Sequence, residues 1–137
     1  MKFGYHNHDF EFSQSLNGQK IFDIIMQNTD PSLVAQQLDI GNMLQTGGMA
    51  LDVIKQYPNR FESLHVKDEI KASGKGEMGG AYESTVLGKG IMPVKEILDQ
   101  ARKTGTTLFI IEQESYQGMP PIDSIKQDYD VMKKWGY

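Results

Sequence analysis

Four short apolar runs, at residues 3–8, 34–40, 61–67 and 107–112, alternate with four amphipathic stretches at 19–28, 49–57, 93–103 and 122–135. A strand followed by a helix, repeated four times, joins its neighbours by right-handed crossovers that leave the strands parallel. The pattern therefore predicts an α/β fold of four parallel βα units, in a single domain over 1–137 with no dividing linker. In the third amphipathic stretch Val94, Ile97, Leu98 and Ala101 recur at i, i+3, i+4 and i+7, Pro93 suits a first helical turn, and Gly105 suits a C-terminal cap. The fourth stretch predicts a docking face of Ile122, Ile125, Tyr129, Met132 and Trp135, and Met26, Met49 and Met132 read as core filler on helices.

A chain of 137 residues can bury a core of its own, and its 39% hydrophobic and 23% charged content is that of a folded protein. Lys+Arg 14 against Asp+Glu 18 gives a net charge of −4, which argues against nucleic acid or an anionic membrane as partner. With no Cys there is no disulfide, no thiolate nucleophile and no Cys-based metal site. The N-terminus enters polar sequence without a hydrophobic signal region, and no run of about 18 apolar residues occurs, so the expectation is a chain with no export address, cytoplasmic by default.

Residues 68–91 interrupt the alternation and hold six of the 14 glycines, which predicts a flexible active-site loop. The segment spells Gly74-Lys75-Gly76-Glu77-Met78-Gly79, a G-x-G-x-x-G pattern. Its third glycine opens no credible helix, so the dinucleotide reading is set aside.

The chemistry-bearing residues collect where the apolar runs end: His6 and His8, then Asp39, then His65 and Lys67, then Glu112 and Glu114. Ligands of parallel α/β folds bind at the C-terminal ends of strands, and residues two apart on a strand share a face. A lone histidine in such a place is ordinarily only hydrogen-bonded. Two histidines, an aspartate and a glutamate arriving from four neighbouring strands make an N/O site for a divalent ion such as Mn²⁺, Zn²⁺, Co²⁺ or Mg²⁺. Lys67 suits an anionic or hydroxylated substrate, Asp68 equally suits a turn, and Glu11 is open to facing the site or solvent. The serines sit in no nucleophile elbow.

The strings Gly4-Tyr5-His6-Asn7-His8-Asp9-Phe10-Glu11-Phe12, Leu38-Asp39-Ile40-Gly41-Asn42, Tyr57-Pro58-Asn59-Arg60-Phe61, Leu64-His65-Val66-Lys67-Asp68 and Ile110-Ile111-Glu112-Gln113-Glu114 resemble, in order, the sugar phosphate isomerase/epimerase family with the xylose isomerase-like TIM barrel. The resemblance implies the C-terminal half of a (β/α)8 barrel, with a divalent metal on His6, Asp39, His65 and Glu112. It implies a sugar substrate and proton abstraction next to a carbonyl, with Glu112 or His8 as base and Lys67 on a hydroxyl or oxyanion. Isomerisation or epimerisation is the first expectation. The alternative is a lyase or dehydratase of the inosose dehydratase-like or 3-keto-glycoside-eliminating kind. His6 stands where many members carry Glu, which weakens a symmetric two-carboxylate epimerase, and Asn42 stands where many carry a substrate-contacting His. Related endonuclease barrels assemble three metals from more ligands than three histidines allow. A full barrel takes about 250 residues, so the half predicts a homodimer or a missing N-terminal half-barrel, and a non-catalytic remnant needing a partner chain is the contrasting reading.

Overall fold

The computed structural model describes residues 3–137, apart from the side chain of Met78; the first two residues of the N-terminal stretch and that loop methionine lie outside the described set. The elements are β1 (Phe3–His6), α1 (Phe10–Ser13), β2 (Ser15–Leu16), β3 (Gln19–Lys20), α2 (Ile21–Gln27), β4 (Val34–Asp39), α3 (Ala50–Gln56), β5 (Phe61–Val66), β6 (Asp68–Lys71), β7 (Tyr82–Thr85), α4 (Val94–Lys103), β8 (Leu108–Ile111) and α5 (Pro121–Trp135). β1, β4, β5 and β8 form one parallel sheet in that order, the four βα units expected from the alternation.

One face of the sheet is covered. Leu38 and Ile40 at the end of β4, and Leu64 and Val66 on β5, pack beneath Ala50 and Ile54 of α3 and Val94, Ile97, Leu98 and Ala101 of α4, all essentially without exposure. The α4 stripe is the predicted one, and Gly105, at φ +92°, ends that helix in the left-handed region glycine favours. The opposite face is open: a cleft of about 430 Å³ runs across Gly4, His6, Ala35, Gln37, Ser63 and Leu108. Leu108 is 55% exposed there.

Expectations are corrected at α5, at Met49 and over 68–91. α5 turns Ser124, Asp128 and Met132 inward and leaves Ile122 and Tyr129 exposed, so the predicted docking face is rotated. Hydrogen bonds decide this: Ser124 Oγ donates to Gln113 Oε1 at 2.8 Å, and Asp128 Oδ1 accepts the Leu87 N–H at 2.8 Å. Ser124 and Asp128 each gain a buried hydrogen bond in this orientation, which outweighs matching the apolar count. Met26 and Met132 are core residues as expected, whereas Met49 is exposed.

The last correction concerns 68–91, which carries structure of its own where an irregular loop was expected. β6 and β7 pair antiparallel from Asp68 opposite Thr85 to Lys71 opposite Tyr82, and the G-x-G-x-x-G string forms the 3-10 turn at the hairpin's far end. Gln45 clamps the hairpin by accepting the Ala81 N–H at 2.8 Å and donating to Tyr82 O at 3.4 Å. Asp68, fully buried, accepts four backbone N–H bonds, from Glu69, Gly88, Gly90 and Met92, at 2.8–3.1 Å. Its role is to organise the return loop, and a Cβ at Gly90 would overlap its carboxylate. Removing an acceptor that satisfies four backbone donors at once, one of them buried and three partly so, leaves those donors to compete for water or stay unpaired. Asp68→Ala should lower the unfolding free energy by about 2–4 kcal/mol in urea denaturation; a change under about 0.5 kcal/mol would contradict this role.

Candidate metal centre

Register sets the levels of the site. Asp39 lies opposite His65 across the β4–β5 pair, and His6 lies one inward-facing step lower, opposite Gln37. Gln37 Oε1 meets His6 Nδ1 at 3.1 Å while its Nε2 donates to Ser63 Oγ, so the ring is oriented from its neighbouring strands.

Asp39 is fully buried, and its two oxygens have different surroundings. Oδ1 accepts the N–H groups of Gly41 and Asn42 at 2.9 and 2.8 Å. Oδ2 has no hydrogen-bond partner and points between His65 Nδ1 at 3.7 Å, His6 Nε2 at 3.9 Å and Lys67 Nζ at 3.5 Å. The backbone of Asp39 is held by Asn7, itself buried: Asn7 Oδ1 accepts the Asp39 N–H at 2.9 Å and its Nδ2 donates to Asp39 O at 3.2 Å. This amide prolongs the β1–β4 ladder beyond His6. Asn42 Nδ2 donates to Asn7 O at 3.3 Å.

His6, Asp39 and His65 each offer a ligand atom within 4.8 Å of the others, the set among the described residues able to hold a metal. Two imidazole nitrogens and one carboxylate oxygen suit a borderline divalent cation and leave coordination positions for substrate. An orphaned buried carboxylate oxygen is what such an ion would satisfy. Glu112, expected as a fourth ligand, stands beside the set: its Oε2 pairs with His65 Nδ1 at 2.7 Å and Lys67 Nζ at 3.2 Å. Lys67 is buried, and its ammonium also reaches Glu114 at 2.8 Å. Asp39, Glu112 and Glu114 against Lys67 leave three negative charges and one positive, a formal −2 that matches a divalent cation.

The titrations follow from these contacts. Burial pushes the Asp39 carboxyl up, and the His65 and Lys67 contacts outweigh it, so the group stays below its ordinary range. Burial, helped by the neighbouring His65 and His8 rings, lowers His6 against the pull of Asp39, while the Asp39 carboxylate raises His65. Burial opposes the Lys67 charge, but its carboxylate partners prevail and hold the ammonium above the usual lysine range.

His8 is exposed at the rim, its ring 5.1 Å from that of His6. Glu11 faces neither site nor solvent: it is buried and accepts Tyr5 Oη at 2.5 Å and the His8 N–H at 2.9 Å. Asn7, Gln37 and Glu69 were missed by sequence reasoning. For Glu69 the signal was there, since it continues the alternation of His65 and Lys67 on one face.

The chain matches the family described as xylose isomerase-like TIM barrel over residues 1–135. It belongs to that family. Among relatives of xylose isomerase-like chains such as this one, an inosose dehydratase of Clostridium perfringens is 32% identical over 148 aligned residues, covering 98% of this chain and 48% of the relative. An inosose dehydratase of Clostridium beijerinckii is 27% identical, covering 100% and 49%. A solved sugar phosphate isomerase/epimerase from Parabacteroides distasonis superposes with a TM-score of 0.77 at 25% identity over 96% of this chain and 45% of that one. A xylose isomerase domain protein from Planctomyces limnophilus shares the fold at TM-score 0.62 and 18% identity, over 94% and 42%. The chain thus spans about half the length of the curated relatives it matches. No helix among the described residues is long and apolar enough to cross a membrane.

Gly41 has an ordinary helical φ, yet a Cβ there would lie 2.7 Å from Glu69 Oε1 and 2.9 Å from Lys67 Cδ. Gly41→Ala should therefore displace both side chains and lower stability by about 1–3 kcal/mol, read by thermal or urea unfolding; wild-type stability would contradict the packing described.

Proposed function

We propose that this xylose isomerase-like chain acts on a keto sugar or keto polyol by removing a proton next to the carbonyl, with a divalent metal (Mn²⁺, Zn²⁺, Co²⁺ or Mg²⁺) on His6, Asp39 and His65. The observation that carries the reading is the free Asp39 Oδ2, fully buried between two imidazoles and an ammonium. A metal bound there would polarise the substrate carbonyl and stabilise the charge that develops on its oxygen. Glu112, one-third exposed and already oriented by His65 and Lys67, is the proton acceptor. Lys67 donates to the substrate oxygen beside the carbonyl, and His8 at the rim is a second group able to handle a proton.

From the resulting enediolate, two outcomes diverge. Reprotonation gives isomerisation or epimerisation, the reading favoured by the resemblance to a sugar phosphate isomerase/epimerase structure. Loss of a β-hydroxyl gives dehydration, favoured by relatives named inosose dehydratase and by His6 in place of a second proton-shuttling carboxylate. With an inosose as probe and metal added, the C–H next to the carbonyl should exchange in D2O, followed by NMR. Asp39→Asn should slow exchange by about 10²-fold or more. Absence of metal-dependent exchange by the wild-type chain would overturn the proposal.

We further propose that the open sheet face is closed by a second copy. The sheet order leaves one edge of β1 and one edge of β8 free, and all four strands run the same way. A twofold axis along the barrel direction sets each β8 beside the partner's β1 in parallel, giving eight strands around one mouth. Light scattering at micromolar concentration should give the dimer mass; the monomer mass would contradict it.

A further inference from the structure

Glu69 is a buried acid that the chemistry above does not use. It is 3% exposed, and its Oε2 has no hydrogen-bond partner. His65, Lys67 and Glu69 follow one another at two-residue spacing from the end of β5 into β6. Glu69 Oε1 and Lys67 Cδ approach the same point on Gly41, which sets this carboxyl alongside the lysine that contacts Asp39 and Glu112.

The charged groups whose fields reach Glu69 come from four segments. They are Glu77 in the hairpin's 3-10 turn, Lys67 at the junction between β5 and β6, Asp39 at the end of β4 and Glu114 after β8. Three of the four are carboxylates. Burial first, and repulsion from Glu77 next, push the Glu69 carboxyl up to about 8, so at neutral pH it carries a proton and is a hydrogen-bond donor. The other carboxylates around Lys67 are acceptors. An elimination needs both kinds of group: an acceptor for the C–H proton, and a donor for the oxygen that leaves.

We propose that Glu69 is the proton donor to the departing hydroxyl, which equips this site for loss of water; the inference rests on the proton-abstraction reading above. Glu112 takes the proton next to the carbonyl, and the C–H pair becomes the new double bond. The C–O pair leaves with the hydroxyl, and the Glu69 proton completes a water molecule. Transfer of the proton from Glu112 back to Glu69 through solvent restores both groups. The net change is substrate to unsaturated ketone plus water, with no redox partner.

The test compares two rates on an inosose with metal added: hydrogen exchange next to the carbonyl, and release of the dehydrated product. In Glu69→Gln, water loss should fall by about 10²-fold or more, while exchange stays within about threefold. In the wild-type chain, water loss should decline towards alkaline pH as Glu69 loses its proton, and exchange should not decline with it. Water loss at the wild-type rate in Glu69→Gln, or a parallel fall of both rates, would overturn the role of Glu69. A wild-type chain that exchanges without losing water would overturn it too, leaving proton abstraction intact; a wild-type chain that does neither would overturn the reading beneath it. Independently of activity, carbon-13 NMR of the Glu69 carboxyl should show it protonated at pH 7, and an ionised carboxylate at that pH would contradict the proposal.

Discussion

The site depends on one buried carboxylate whose two oxygens are treated differently. Two backbone N–H groups and the Asn7 amide fix Asp39 in place, while its second oxygen is left without a partner beside two imidazoles and an ammonium. Leaving a buried carboxylate oxygen unsatisfied costs free energy. A divalent cation held by His6, Asp39 and His65, as proposed above, would satisfy that oxygen. The surrounding charges agree: Lys67 offsets one of three nearby carboxylates, and the remainder is what a divalent ion neutralises.

The fold around Asp39 was largely legible because parallel βα units leave a strong periodic trace. The apolar runs became β1, β4, β5 and β8 within a residue or two, and the α4 stripe buried the residues its spacing indicated. Convergence of His6, Asp39 and His65 followed from their common place at strand ends. What was not legible came from side chains bonding to backbone. β6 and β7 are short and polar and pair only with each other, so they lack the apolar signature of a core strand. The inward face of α5 is chosen by Ser124 and Asp128, whose partners Gln113 and Leu87 are remote in sequence. Asn7 reads as an ordinary loop residue until it is seen bridging to Asp39.

The same hydrogen-bonding logic shapes the mouth. Asp68 gathers the return loop through four N–H bonds, and Ser84 Oγ accepts the N–H groups of Glu114 and Ser115 at 2.8 and 3.0 Å. Gln45 ties the hairpin to the turn after β4. The 68–91 segment is thereby a built wall beside Lys67 and Glu69, while the concave face below His6 stays open along β1 and β8. The parallel sheet brings His6, Asp39 and His65 together in a chain that spans about half the length of the curated relatives it matches.

If His6, Asp39 and His65 hold one divalent ion, X-ray absorption on the Zn²⁺-loaded chain should show one ion per chain with two imidazole nitrogens in its inner sphere and the remainder oxygen, and His65→Ala should lose one imidazole. A zinc spectrum with oxygen ligands alone, unchanged by that substitution, would contradict it.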